Sequence, residues 1–283
     1  MPRFTTPDGC NLEYRVRGDI EGSRPLIVLT PGGREKGEAV AALAEALAER
    51  ACVVTWDRRN AGASDVYFGG DSESEIWAQD LIDLVLHLGR GPVWLAGGSA
   101  GCRTSVIAAL RRPEIARGLI LWSASGGQYA SQFLGFSYHA PYIMAALGGG
   151  MAAVIAQPFW ADRIAENPAN RDRMQAMEPD TFIAVMKQWM SAFYFRAGSD
   201  LTGATNDELA TIALPTLLFE GNDDIHPKAV SDIVARLIPN ATYLPSPWSD
   251  EDFMGRFAGS IPGSVFDLYP QLAPDILRFI GAR

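Results

Sequence analysis

Histidine is scarce in this chain. Its 283 residues contain only three, His87, His139 and His226, so nothing C-terminal of His226 supplies an imidazole to any site. Cysteine is equally rare. Cys10, Cys52 and Cys102 are an odd set with two members inside apolar segments, which excludes a disulfide framework and fits buried free thiols in a reducing compartment. Positive charge is in deficit: the formal net charge of -9 opposes polyanionic partners, because phosphate binding needs clustered Lys and Arg, so no nucleic-acid partner is expected. No uninterrupted apolar run approaches the roughly 18 residues of a membrane span, and the first residues carry no apolar signal core. A cytoplasmic protein with no membrane partner is the expectation. The scattered histidines and cysteines lack metal-ligand spacing, and no G-x-x-x-x-G-K or G-x-G-x-x-G pattern is present, so neither a metal nor a cofactor is expected.

Hydrophobic residues make up 48% of the chain, enough for one large α/β domain with an insertion. Arg3 to Thr6 and Asn11 to Arg17 flank Pro7-Asp8-Gly9 as an antiparallel hairpin. Four short apolar, β-branched runs then read as buried strands: Leu26–Thr30, Ala51–Trp56, Val93–Gly97 and Arg117–Trp122. Helices are expected between them, over Ala39–Arg50, Ser74–Leu88 and, after Gly98-Ser99-Ala100-Gly101, to about Arg111. This alternation implies right-handed crossovers and a mostly parallel, doubly wound sheet. From 123 to 206 the rhythm gives way to helical, aromatic and glycine-rich text, including a helix near Thr181–Arg196, and Gly148-Gly149-Gly150 reads as a hinge or a helix break. Strand and helix resume with Pro215–Glu220, Lys228–Leu237, Ala241–Leu244 and Ala273–Ile280. The expected organisation is a core of residues 1–122 and 207–283 with a helical cap, 123–206, inserted into it.

Gly97-Gly98-Ser99-Ala100-Gly101 matches the G-x-S-x-G nucleophile elbow and lies between a buried strand and a helix, where that motif belongs. Its glycines permit a tight turn around a strained serine. With this motif the chain resembles the α/β-hydrolase superfamily along nearly its whole length. Three further segments fall in the expected order: Thr30-Pro31-Gly32-Gly33 at the oxyanion loop, Asp57 to Ser64 as a D-x-R-G-x-G-x-S-like loop, and Gly221 to Pro227 at the acid-bearing loop. The resemblance implies Ser99 as nucleophile, the backbone N–H groups of Gly33 and Ala100 as oxyanion donors, and Asp223 as the acid, with Asp224 second. It implies mainly structural roles for Asp57, Arg58, Arg59 and Asp65, and a packing role for Cys102.

One element of that pattern is missing. The family places its histidine after the last strand, but here Ala241–Leu244 is followed by Pro245-Ser246-Pro247-Trp248-Ser249-Asp250 and no histidine thereafter. A serine hydroxyl is a poor nucleophile until an imidazole takes its proton, and removing that base from an unrelated serine protease costs on the order of 10⁶ in turnover. His226, three residues past Asp223, replaces it if its loop turns inward. His139 belongs to the cap and could overhang the pocket, whereas His87 should be remote. Three readings follow. Ser99 forms an acyl-enzyme with Asp223 and His226 as a non-standard pair, hydrolysing a small ester, lactone, amide or activated C–C bond. Alternatively, Ser99 and the oxyanion donors polarise a carbonyl while Asp223 or Asp250 moves protons, giving a lyase, decarboxylase or cyclase. In the third, the pocket binds a ligand without chemistry.

The cap's aromatic residues suggest an apolar small-molecule substrate, contacted by His139, Tyr138 and Trp160, with Trp248 from the core. At least half of those aromatics should instead form the cap's own core. A monomer or homodimer is expected.

Overall fold

A computed structural model describes residues 2–282. Its strands are β1 (Arg3–Thr5), β2 (Asn11–Arg17), β3 (Leu26–Thr30), β4 (Cys52–Trp56), β5 (Val93–Gly98), β6 (Ala116–Trp122), β7 (Thr216–Phe219) and β8 (Ala241–Leu244). They form one eight-stranded sheet in the order β1-β2-β4-β3-β5-β6-β7-β8. The β1–β2 and β2–β4 pairings are antiparallel and all others are parallel. The fold is thus the α/β class expected, with the antiparallel hairpin at one edge.

The helices, in chain order, are α1 (Ala41–Ala48), α2 (Glu73–Leu88), α3 (Ala100–Arg111), α4 (Gly127–Ile155), α5 (Pro158–Glu166), α6 (Ala169–Gln175), α7 (Pro179–Ser191), α8 (Asn206–Ala210), α9 (Lys228–Leu237), α10 (Asp250–Phe257) and α11 (Ala273–Gly281). Every residue of β3, β4 and β5 is buried, because successive side chains point to opposite faces and both faces are covered. Val28, Val54 and Leu95 enter the core under α2 and α3, whereas Ile27, Val53 and Trp94 enter the one under α1 and α11. Ser72 caps α2 by accepting the Glu75 N–H, with Glu73 and Glu75 in the first turn, where carboxylates complement the helix dipole.

Several boundaries differ from the sequence expectation. The helix expected over 39–50 divides into a 3₁₀ turn, Gly37–Val40, and α1. The helix expected near 181–196 begins at Pro179, where proline suits the first turn, and ends at Ser191. Both α10 and a 3₁₀ segment, Val265–Leu272, were unforeseen: α10 is short and mostly polar, and the 3₁₀ segment contains Pro270. Between β6 and β7 the chain is helical. Its residues Val154, Trp160, Met174, Phe182, Met186 and Trp189 build a separate core with Val66 from the sheet domain. Gly149 and Gly150 break α4, with Gly150 at φ 62°.

Within the helical stretch Gly127–Glu166, an 18-residue window is apolar enough by length and composition to cross a membrane, and 33% of that window is buried. The sequence expectation considered uninterrupted runs and did not register it.

Candidate active site

β5 runs into α3 through a single residue, Ser99, at φ 53° and ψ -114°. That region is sparsely allowed for a residue with a Cβ, so the conformation is held by its surroundings. The Ser99 N–H is shared between the carbonyls of Trp122 (3.2 Å) and Ser123 (3.1 Å) at the end of β6. The flanking glycines are required by close approach. A Cβ on Gly97 would lie 2.5 Å from the Gly101 carbonyl carbon, one on Gly98 2.1 Å from the Trp122 Nε1, and one on Gly101 2.2 Å from the Thr30 oxygen. Ser99 is 8% exposed.

The loop after β3 lies directly beside the serine: a Cβ on Gly32 would sit 3.5 Å from the Ser99 Cβ. Gly33 follows at φ 51°, which a glycine adopts without steric cost. Ala100 opens α3, and the N–H groups of a first helical turn have no acceptor within the helix. Gly33 and Ala100, the candidate oxyanion donors, thus flank Ser99 from the loop and from the helix.

The loop after β7 holds the acid and imidazole candidates. Asp223 Oδ1 accepts the N–H groups of Ile225 (2.8 Å) and His226 (2.9 Å), and Oδ2 lies 2.9 Å from His226 Nδ1. Both side chains are buried, whereas Asp224 is exposed. Burial raises the Asp223 pKa, but the hydrogen bond and charge of the His226 ring, with the two backbone N–H groups, outweigh it and leave the carboxyl below its usual value. With Nδ1 donating to the carboxylate, His226 Nε2 presents its lone pair, buried and without a partner among the described residues. Phe253 of α10 meets the ring edge-on at 5.4 Å.

The loop after β8 brings Trp248 to the acid loop. Its carbonyl accepts the Asn222 side-chain N–H (2.7 Å), and its ring stacks on Tyr269 at 5.5 Å. Tyr269 is buried, and its hydroxyl lies 3.8 Å from the position of a Cβ on Gly32, beside the serine. Burial pushes that phenol up, against the Trp122 indole that lowers it. Sequence reasoning missed Tyr269, which lies in the unforeseen 3₁₀ segment. Asp250 is an exposed first-turn residue of α10.

The helical insertion contributes differently. His139 is fully buried, its Nδ1 donates to the Gly135 carbonyl (2.8 Å), and its Nε2 has no partner among the described residues. Burial, then the charge of Arg34, outweighs the Gly135 hydrogen bond and brings its pKa down to about 3. The half-buried Tyr138 puts its hydroxyl 3.9 Å from the position of a Cβ on Gly33. Trp160 packs inside the insertion's own core against Phe68, Tyr142 and Phe159. Phe136, Met144 and Tyr194 of the same stretch are at least half exposed on the surface. His87 stacks on Phe4 at the opposite edge strand, as expected.

The alpha/beta hydrolase family model matches residues 27–256, most of the chain. This chain belongs to the alpha/beta hydrolase family. A Caulobacter sp. (strain K31) protein provisionally named carbamate hydrolase RutD is 25% identical over 88% of this chain and 91% of its own. The 2-(acetamidomethylene)succinate hydrolase of Mesorhizobium japonicum is 32% identical over 35% of this chain and 36% of its own. Among solved structures, the enol-lactonase of Burkholderia xenovorans LB400 superposes with a TM-score of 0.64 at 20% identity, covering 99% of this chain and 100% of that one.

The charged loop of this hydrolase divides into two kinds of residue. Asp57 accepts the N–H groups of Gly37 and Ala63, Arg59 forks onto Asp80 and Asp8, and Asp65 binds Asn11, Asn167 and Arg173. Arg58 differs. Fully buried, it donates from Nη2 to the carbonyls of Gly32 (3.2 Å) and Gly33 (2.8 Å) and lies 4.2 Å over the Trp77 ring, while its Nε and Nη1 have no hydrogen-bond partner among the described residues. Arg103, one turn into α3, donates to Ser74 (3.3 Å) and Ser125 (2.9 Å), and its Nη2 is likewise unpartnered. The nearby carboxylate, Glu73, is committed to Arg34 (2.8 Å) and Asn60 (2.9 Å). Burying a guanidinium without a counter-ion costs several kcal/mol, so the cluster is an energetic liability in the ligand-free protein. Burial accordingly pushes the Arg58 pKa down to about 10 and lowers that of Arg103.

Proposed function

We propose that this hydrolase cleaves a small-molecule ester, lactone, amide or activated C–C bond through an acyl-enzyme on Ser99, with His226 as base and Asp223 as its orienting acid. The observation that carries the reading is the buried Asp223–His226 pair, Nδ1 to Oδ2 at 2.9 Å, with Nε2 lacking a hydrogen-bond partner among the described residues. It supplies an imidazole from the acid loop itself, which answers the missing C-terminal histidine.

In this mechanism His226 Nε2 takes the Ser99 proton as the serine oxygen attacks the substrate carbonyl. Negative charge develops on the carbonyl oxygen, where the N–H groups of Gly33 and Ala100 stabilise it without reorganising. His226 then protonates the leaving group, the acyl-enzyme forms, and a water activated by the same nitrogen releases the acid. Asp223 holds the tautomer that presents Nε2 and offsets the imidazolium charge. Arg58, bonded to two carbonyls of the Gly32–Gly33 loop, fixes the direction of the Gly33 N–H. The insertion 123–206 acts as a cap over this edge of the sheet, with Tyr138 reaching to the Gly33 loop. Three buried free thiols suit a cytoplasmic setting.

Reaction with a fluorophosphonate probe tests the proposal. Labelling is expected in the intact protein, lost in Ser99→Ala and lost in His226→Ala, and retained in His139→Gln. No labelling of the intact protein would remove the acyl-enzyme reading.

A further inference from the structure

We infer that Arg58 and Arg103 form a recognition site for a carboxylate carried by the substrate. The inference deepens the proposed function, because Ser99 defines where the reacting carbonyl lies, but the binding of the anion does not depend on any chemistry at Ser99.

Charge comes first. Arg34, Arg58 and Arg103 converge on one buried carboxylate, Glu73, and Arg34 takes it as an ion pair at 2.8 Å. Glu35, which also faces Arg58, is exposed and screened by solvent. Arg58 and Arg103 are both fully buried against α2, Arg58 over the Trp77 ring and Arg103 on Ser74 one turn earlier, with no carboxylate in hydrogen-bonding contact among the described residues. Polar valence agrees with charge: Arg58 Nε and Nη1 and Arg103 Nη2 are three sealed donors without acceptors. A carboxylate is the ligand that answers both, since a guanidinium fork matches its two oxygens.

Placement ties the donors to the site. Arg58 is bonded to the loop that touches Ser99, and the Arg103 N–H donates to the Ser99 carbonyl at 3.2 Å. The Tyr138 hydroxyl reaches the Gly33 loop, to which Arg58 is bonded, and adds a further donor there. A cleft of about 450 Å³ between the insertion and α2 is lined by Ser74, Phe193 and Gly203, the residues that pack on Arg103. Its acidic residues are engaged elsewhere: Asp71 with Gln188, Glu75 with Arg111 and Glu208 with Thr205. The substrate class is thus a short acid bearing its scissile carbonyl a few bonds from a free carboxylate, such as a half-ester or half-amide of a dicarboxylic acid.

Calorimetry on the Ser99→Ala protein with acetate, succinate, glutarate and adipate, and with glutaramide as the uncharged control, tests the site without turnover. At least one dicarboxylate is expected to bind, with glutaramide at least about tenfold weaker and Arg103→Gln weakening the dicarboxylate by roughly tenfold to a hundredfold. Arg58→Lys, which keeps the charge and loses the fork, should weaken it too. In the active protein, kcat/KM for p-nitrophenyl hemiglutarate should exceed that for its methyl ester, and the ratio should fall toward one in Arg103→Gln. Arg103→Met, which removes a sealed charge, should leave the ligand-free melting temperature unchanged or higher. Equal binding of glutaramide, no binding of any dicarboxylate, or a drop of several degrees in Arg103→Met would overturn the inference. Dicarboxylate binding without fluorophosphonate labelling would strike down the nucleophile and leave the anion site standing, and labelling without dicarboxylate binding would do the reverse.

Discussion

The loop after β7 and the helix α4 each hold a buried histidine whose Nδ1 is engaged and whose Nε2 is unpartnered. They differ in what Nδ1 meets. His226 donates to a carboxylate, which offsets the positive charge an imidazole acquires on taking a proton. His139 donates to a carbonyl, faces Arg34 and Arg103, and is held neutral, with its pKa down at about 3. Burial alone therefore does not make a base. Burial and then the charge of Arg34 hold the His139 ring neutral, whereas the His226 ring has a carboxylate on its Nδ1.

The comparison breaks most sharply if the two rings exchange roles. His226→Ala is expected to lower kcat on a p-nitrophenyl ester by on the order of 10⁴ to 10⁶, whereas His139→Gln should cost less than about tenfold. A larger loss in His139→Gln would move the base to the insertion. Next, Asp223→Asn should lower kcat by roughly 10² to 10⁴ while leaving the serine in place, because the imidazole loses its tautomer and its counter-charge. Its stability effect has a defined pH window. The folded Asp223 pKa lies below the ordinary 3.8, so its contribution is present above 3.8 and is lost as pH falls through the folded value. The melting temperatures of Asp223→Asn and the parent should converge in acid.

His139 gives a smaller and oppositely located effect. Its folded pKa of about 3 lies below the ordinary 6.5, so the unfolded chain binds the extra proton and stability falls as pH drops through that interval. At pH 5 this amounts to about 2 kcal/mol at most, and His139→Gln should narrow the difference between melts at pH 7.5 and pH 5. Were the gap unchanged, the neutral, sealed ring would be misdescribed. Smallest of all, Tyr269→Phe should change kcat/KM by no more than about tenfold, since it removes one hydroxyl beside Gly32 and leaves the ring stack on Trp248 intact.

How legible this was in the sequence varied with the region. Leu26–Thr30 and Ala241–Leu244 match their strands, and Lys228–Leu237 its helix, because period and composition are local properties. The helix expected at 181–196 ended five residues early, and α10, short and mostly polar, and Val265–Leu272, interrupted by Pro270, were missed. The aromatics of the insertion were harder still. Trp160 and Phe136 look alike in sequence, yet the first is in a core and the second is 66% exposed, a distinction set by which helix faces which. Arg58 was read with its neighbours as a structural charge. Arg59 has its carboxylates in Asp80 and Asp8 while Arg58 has none, and no spacing rule separates two adjacent arginines.

By itself the sequence determined the family's sheet rhythm, the serine at its elbow and the absence of a histidine after the last strand. These follow from short-range facts: strand period, glycines that permit a close turn, and a residue type that is present or not. Only the tertiary structure decided that His226 turns onto Asp223, that His139 is sealed against a carbonyl, and that the Arg58 and Arg103 guanidiniums are buried without a carboxylate partner among the described residues. Those outcomes depend on distances between segments far apart in the chain, and the energy of a buried charge or proton is set by what lies within a few ångströms of it.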